Sequence, residues 1–197
     1  MCPRTLRVIK PEIRILGIDD GKFVPHSRTQ VLVVGVVFRA GFWLEGVMST
    51  SVAVDGFDVT AKIISMITGS PHYKQLRVIM VNGITFGGFN VLDIKALHEQ
   101  TGLPVLAVTS KKPNLAKVHS ALRNLSDSEK RWNLVLNAGE IFSVATRGGK
   151  QRVYIEVAGL AKDTAVEILR LTATVSKIPE PLRVAHLVAS GISLYTT

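Results

Sequence analysis

The sequence predicts an α/β fold, a mixed central sheet with helices on its faces. Three observations carry that reading. Three strand-like segments come first, and helix-like and strand-like segments alternate after them, which is the order of a layered α/β domain. The apolar runs are short and bounded by glycine, proline or charge, as buried strands are. The chain of 197 residues is 47% hydrophobic and 20% charged. Its mean hydropathy is +0.28, so it can bury a large core and is not a disordered polyelectrolyte.

The elements follow in order. Residues 13–18 read as a first strand ending in Asp19, Asp20 and Gly21. Residues 31–40 and 42–48 read as a second and third, joined at a tight Ala40-Gly41 corner. Residues 57–69 suit a helix, with Phe57, Ile63, Ile64, Met66 and Ile67 near one face and Gly69 as a stop. Residues 76–81 form a short buried strand. Residues 90–100 suit a helix capped by Asn90, with Leu92, Ile94 and Leu97 apolar and Gly102 as terminator. A strand over 103–108, a helix over 114–124, a strand over 153–158 and helices over 163–174 and 180–190 complete the set. Residues 125–152 hold apolar runs at 134–136 and 141–145, broken by Gly139, Gly148 and Gly149, and are expected to form a hairpin inserted between core elements. Three antiparallel strands followed by βαβ units is the order of a ribonuclease H-like sheet, here as one domain over 1–197.

Composition excludes several classes. The longest apolar run, 31–38, covers eight residues and cannot span a bilayer as a helix. The first residues, Met-Cys-Pro-Arg-Thr-Leu-Arg, lack an apolar signal core, so a cytoplasmic location is expected. A single cysteine, Cys2, rules out an internal disulfide or a cysteine-based zinc site. With 24 Lys and Arg against 15 Asp and Glu, the formal charge is +9. That excess favours a polyanionic partner, nucleic acid first, although the basic residues are spread rather than clustered.

The candidate site begins at Asp19 and Asp20. Two adjacent carboxylates at the end of a buried strand are costly unless a cation shares them. A divalent ion such as Mg²⁺ or Mn²⁺, held by Asp19, Asp20 and Asp55, answers that need; an Asp-Asp-Gly turn is the plainer alternative. Asp55, Asp58 and Asn82 also fall at element ends, and such positions converge on one edge of an α/β sheet. Together the five can supply the oxygen ligands of phosphodiester cleavage, and Asp55 as a turn residue and Asp58 as a helix N-cap are the structural alternatives. A glycine-rich loop over 83–90, with Gly83, Gly87, Gly88 and Asn90, can present bare N–H groups to phosphate or to an unstacked base. Phe86 or Phe89 can stack on a base or pack in the core. Lys22, Lys111 and Lys112 follow strand ends, where they can meet a phosphate backbone. His186, among Val184, Leu187 and Val188, reads as a hydrogen-bonded core residue. His26, His72, His98 and His119 lack metal-ligand spacing.

Five segments resemble an archaeal family of small proteins related to endonuclease V and described as endonuclease dU. They are Gly17-Ile-Asp-Asp-Gly21, Val54-Asp-Gly-Phe-Asp58, Asn82-Gly-Ile-Thr-Phe-Gly-Gly-Phe-Asn-Val-Leu-Asp93, Gly102-Leu-Pro-Val105 and Pro179-Glu-Pro-Leu-Arg-Val-Ala-His186. The resemblance implies a ribonuclease H-like fold and Mg²⁺-assisted hydrolysis of DNA carrying deaminated bases such as deoxyuridine, a repair activity. It makes Asp19 the counterpart of the catalytic first-strand aspartate. The aspartate that ends the fourth strand of endonuclease V is Asn82 here, and Asp55 or Asp58 stands in for an acidic ligand of its first helix. The family's Gly-His pair aligns with Gly159-Leu160, and its strand-separating aromatic wedge has no counterpart.

Three functions are compatible with these residues: a Mg²⁺-dependent nuclease on damaged DNA, a catalytically silent protein that binds DNA or RNA on the same fold, and a small-molecule phosphate enzyme. A metal at Asp19 separates the first from the second. A positively walled groove wide enough for a strand separates both from the third.

Overall fold

The computed structural model describes residues 9–27, 29–146, 149 and 151–193. Strands β1 (Arg14–Asp20), β2 (Gln30–Arg39) and β3 (Trp43–Ala53) form an antiparallel meander. Helix α1 (Val59–Thr68) and strand β4 (Val78–Asn82) follow. A two-residue pair, β5 (Thr85–Phe86) and β6 (Asn90–Val91), precedes α2 (Ile94–Thr101) and β7 (Val105–Thr109). Then come α3 (Leu115–Leu122), α4 (Ser128–Asn137), β8 (Phe142–Thr146), β9 (Gln151–Ala158), α5 (Lys162–Thr172) and α6 (Glu180–Ile192).

Seven strands make one mixed sheet in the order β3-β2-β1-β4-β7-β9-β8. β1, β4 and β7 run parallel, and β9 returns antiparallel to β7. Val33, Val34, Val36 and Val37 of β2 are all fully buried, because helices cover both faces there. A strand covered on both sides loses the polar alternation of a half-exposed one. Helices α1 to α4 pack on one face over Leu16, Ile18, Ile79, Val81 and Ala107. Helices α5 and α6 pack on the other over Ile15, Val78, Met80 and Val108.

Residues 125–152, expected as an inserted hairpin, contain helix α4, then β8 and the first part of β9; β8 and β9 do form a hairpin, but as the edge of the main sheet. The N-cap of α2 is Asp93, whose carboxylate accepts from the amides of Lys95 and Ala96 at 3.0 Å. Asn90, the expected cap, lies in β6. Asn114 caps α3 as expected, accepting from the amide of Lys117.

Helix α6 lies unusually close to β1. A Cβ placed on Gly17 would collide with the backbone carbonyl of Pro181, and one on Gly21 with the Ala189 carbonyl and the Ser193 side chain. Residues 17 to 21 of a strand advance about 13 Å, and residues 181 to 189 of a helix about 12 Å. Strand and helix therefore stay in register along their common length. Among the described residues, no helix is long and apolar enough to cross a membrane.

Candidate active site at the carboxyl end of the parallel strands

Successive side chains of a strand face opposite sides of the sheet, and this rule divides the acidic pair. Asp19 shares the face of Ile15 and Gly17 and points toward α6. Asp20 shares the face of Leu16 and Ile18 and points toward the β5–β6 turn.

Asp19 is buried, with 2% of its surface exposed. Its Oδ2 accepts from Asn82 Nδ2 at 2.9 Å and lies 2.9 Å from His186 Nδ1. Its Oδ1 accepts from the amide of Asp20 at 2.9 Å. Burial raises its pKa above the usual carboxylate range, against the opposing pull of Asn82, the Asp20 amide and His186. Among the described residues no lysine or arginine pairs with it. His186 is not the core residue expected: its side chain is 60% exposed. Gly17 accounts for its position, since only a bare backbone lets α6 approach closely enough for the imidazole to reach Asp19.

Asp20 answers a different group. Its Oδ2 accepts from the Gly87 amide at 2.6 Å. Burial first, and the Asp19 charge in addition, push its pKa up to about 6, against the Gly87 hydrogen bond. Asp55 binds the same loop: Oδ1 accepts from the Phe89 amide at 2.8 Å, and Oδ2 lies 3.2 Å from His26 Nδ1. The glycine-loop amides expected to hold phosphate therefore already hold two carboxylates of the same chain. Gly87 and Gly88 adopt positive φ, and a Cβ on Gly88 would strike the Asp55 carboxylate, so the turn requires glycine there.

Asp58 and Asn90 are structural. Asp58 accepts from the Ala53 amide and from Asn90 Nδ2, at 3.1 and 2.7 Å. Fully buried Asn90 also accepts from the Val59 amide and donates to Ala53 O. With every polar atom of its amide engaged inside the fold, Asn90 cannot reach nucleic acid. Phe89 packs half-buried against the core. Leu160 packs against the core on the α5 side, so the histidine beside Asp19 comes from α6 and not from the Gly159-Leu160 step. Arg131 of α4, 2% exposed, donates to the carbonyls of Asp55, Gly56, Phe89 and Ser126 and lies 3.9 Å from the Phe57 ring centroid. It ties the β3–α1 turn to the glycine loop.

Asp19, Asn82 and His186 are thus brought together, with Asp20 behind them on the opposite face. Asp55 and Asp58 belong to the loop network instead. Among the described residues no three or more His, Cys, Asp or Glu side chains gather around one ion. The donors that remain suit a hard cation that keeps much of its water: one buried carboxylate paired with an imidazole but with no lysine or arginine, and exposed Asn82, whose amide nitrogen is turned to Asp19 and whose oxygen has no partner among the described residues. Lys22, Lys111 and Lys112 are exposed beyond the carboxyl ends of β1 and β7, the edge that also carries Asp19 and Asn82.

A family profile described as endonuclease dU matches residues 11–193. The chain belongs to the endonuclease dU family. A relative in this family, a UPF0215 protein from Methanopyrus kandleri, is 54% identical over 188 residues, covering 95% of each chain. A crystallised protein of unknown function from Archaeoglobus fulgidus is 39% identical with a TM-score of 0.82, covering 91% of this chain and 98% of its own. Endonuclease V from Ciona intestinalis, solved with a 24mer DNA containing an inosine, is 13% identical with a TM-score of 0.59, covering 93% of this chain and 87% of its own. The fold of this endonuclease dU family member is ribonuclease H-like, as its element order predicts. The two family segments Gly17–Gly21 and Pro179–His186 are the ones that α6 and β1 press together.

Glu156 is a further acidic group near this edge that sequence reasoning missed. It lies on β9 opposite Ala107 of β7, 6% exposed, and burial pushes its pKa up to about 7 from 4.5. A folded-state pKa above the unfolded value contributes stability in full below pH 4.5, and that contribution is lost as the pH rises through about 7. Glu156→Gln is therefore expected to stabilise the protein increasingly between those pH values, by roughly 3 kcal/mol at the alkaline plateau. Denaturant melts at pH 4, 5.5 and 8 measure it; a constant difference across the range refutes it.

Proposed function

We propose that the protein is a divalent-metal-dependent endonuclease that cuts DNA at deaminated bases, deoxyuridine foremost, in a repair role. The observation that carries this reading is the buried Asp19 carboxylate, hydrogen-bonded to both Asn82 and His186 at the carboxyl edge of a ribonuclease H-like sheet. Asp19 and Asn82 would hold Mg²⁺ or Mn²⁺, with water and the substrate phosphate completing its shell. When bound, the ion supplies positive charge against the phosphate oxygens. Asp19 accepts the Nδ1 proton of His186 and so fixes the ring. Nε2 is left as the atom able to take a proton from attacking water or return one to the leaving oxygen. The lysines at the same edge and the +9 charge favour a polyanion over a small phosphate ester.

The test is a nicking assay on duplexes that each carry one modified base, with Mg²⁺, Mn²⁺ or a chelator. Cleavage confined to deoxyuridine duplexes with metal supports the reading. Binding without cleavage of any duplex replaces it with the silent binding protein. Replacing Lys111 and Lys112 together with alanine should weaken binding at every sequence. It should also reduce the slope of log K against log salt by about one unit per lost phosphate contact. An unchanged slope in fluorescence anisotropy removes these lysines from the interface.

A further inference from the structure

On the α3–α4 face a cavity of about 140 Å³ opens beside Gly83, walled by Ile84, Thr109, Leu115 and Val135, with Glu156 as its acidic group. Among the described residues, no hydrogen bond or ion pair reaches the Glu156 carboxyl, and no completely sealed polar atom lacks a partner. Its oxygens therefore remain accessible, toward the cavity that it lines. A buried carboxyl is costly without a partner, and this one faces a largely apolar space in which Thr85 and Thr109 are the other polar side chains and neither is hydrogen-bonded to it.

The size and shape of the space define a ligand. A cavity of roughly 150 Å³ holds one benzene ring, whereas a fused two-ring purine is larger. Ile84, Leu115 and Val135 offer flat apolar contact to the faces of a ring. Gly83 directly follows Asn82, which binds Asp19, so the cavity lies at the same strand ends as Asp19, on the opposite face of the sheet. Enzymes that do chemistry on a base take it out of the stack and read its pairing edge inside a pocket, and a nuclease that must tell one base from another can use the same device.

We infer that this cavity receives a single-ring base of the uracil type, extruded from the strand, and that the Glu156 carboxyl reads its N3–O4 edge. The inference rests on the nuclease reading and gives it a recognition element. In its acid form the carboxyl accepts the N3–H on one oxygen and donates its own O–H to the O4 carbonyl. No covalent step is involved. The raised pKa keeps that acid form populated near neutrality. Extrusion costs least where the base is mismatched or unpaired, so a uracil opposite guanine enters more readily than a paired thymine.

The experiment measures the affinity of wild type, Glu156→Leu and Glu156→Gln for single-stranded oligomers carrying one uracil, one hypoxanthine or one abasic site. Nicking of the matching duplexes is followed in parallel. Wild type is expected to prefer uracil over the abasic site by about tenfold or more, the size of one paired edge contact. Glu156→Leu should erase that preference, and Glu156→Gln, which keeps a donor and an acceptor in the shape of the acid, should retain most of it. Erasure by both variants with intact circular dichroism still supports a role for the carboxyl, with its proton essential. A preference that survives Glu156→Leu, no preference in wild type, or tighter binding of hypoxanthine overturns the pocket. Uracil preference without nicking removes the nuclease reading and leaves the pocket. Nicking unaffected by Glu156→Leu removes the pocket and leaves the nuclease.

Discussion

Asp19→Asn is expected to lower the single-turnover nicking rate on deoxyuridine DNA by at least about 1,000-fold, while the Kd for the same DNA changes by no more than about twofold. The carboxylate accepts three hydrogen bonds, from Asn82, the Asp20 amide and His186. An amide in its place presents a donor to one of these donors and removes the charge that orients the imidazole and would hold a divalent ion. Those interactions strengthen as charge develops on the phosphate, so the loss falls on the transition state more than on binding. Single-turnover rates with excess enzyme, set beside anisotropy titrations, separate the two. An equal loss in rate and affinity would make Asp19 a binding residue instead, and an unchanged rate would remove it from the chemistry.

Arg131→Met is expected to destabilise the fold by about 3–5 kcal/mol. The guanidinium, 2% exposed, satisfies four backbone carbonyls from three segments of chain. Methionine fills the volume but donates nothing, and each carbonyl left dry costs about 1–3 kcal/mol, partly recovered where water enters. The loss should appear as a shift of the denaturant midpoint at constant m-value. A shift below about 1 kcal/mol would show that water replaces the guanidinium at no great cost.

The same arginine explains why α4 is hard to recognise as a helix from sequence. Helix α4 buries Arg131 and Val135 on its inner face, so the position that would mark it as amphipathic carries a charge. Glu156 was hidden for the converse reason. In a strand, a charged residue between apolar neighbours reads as solvent-facing, and only the packing of α3 and α4 over β9 encloses it. The sheet order was legible, because buried strands announce themselves by short apolar runs and Asp19 falls where the first run stops. Period-two alternation, applied to Asp19 and Asp20, would have shown that one ion cannot easily take both. His186 required tertiary information, but the signal was present: Gly17 demands a close neighbour, and the Pro179–His186 segment carries the residue that neighbour delivers. The glycine loop was expected to present its amides to phosphate or a base; in the fold the Gly87 and Phe89 amides donate to Asp20 and Asp55.

Asp19 and His186 stand 167 positions apart, joined through one helix laid across β1 and β2. Elements of one fold open locally at different free energies, and α6 is the element that carries His186. A molecule in which α6 has lifted keeps the β4–β7–β9 cavity, whose walls come from other elements, but holds no imidazole against Asp19. Hydrogen exchange along 180–192 would therefore report the fraction of molecules with His186 docked on Asp19, whereas exchange along β4 and β7 would report those with the cavity intact. On the proposed reading, undocking of that one helix would separate base binding from incision without global unfolding.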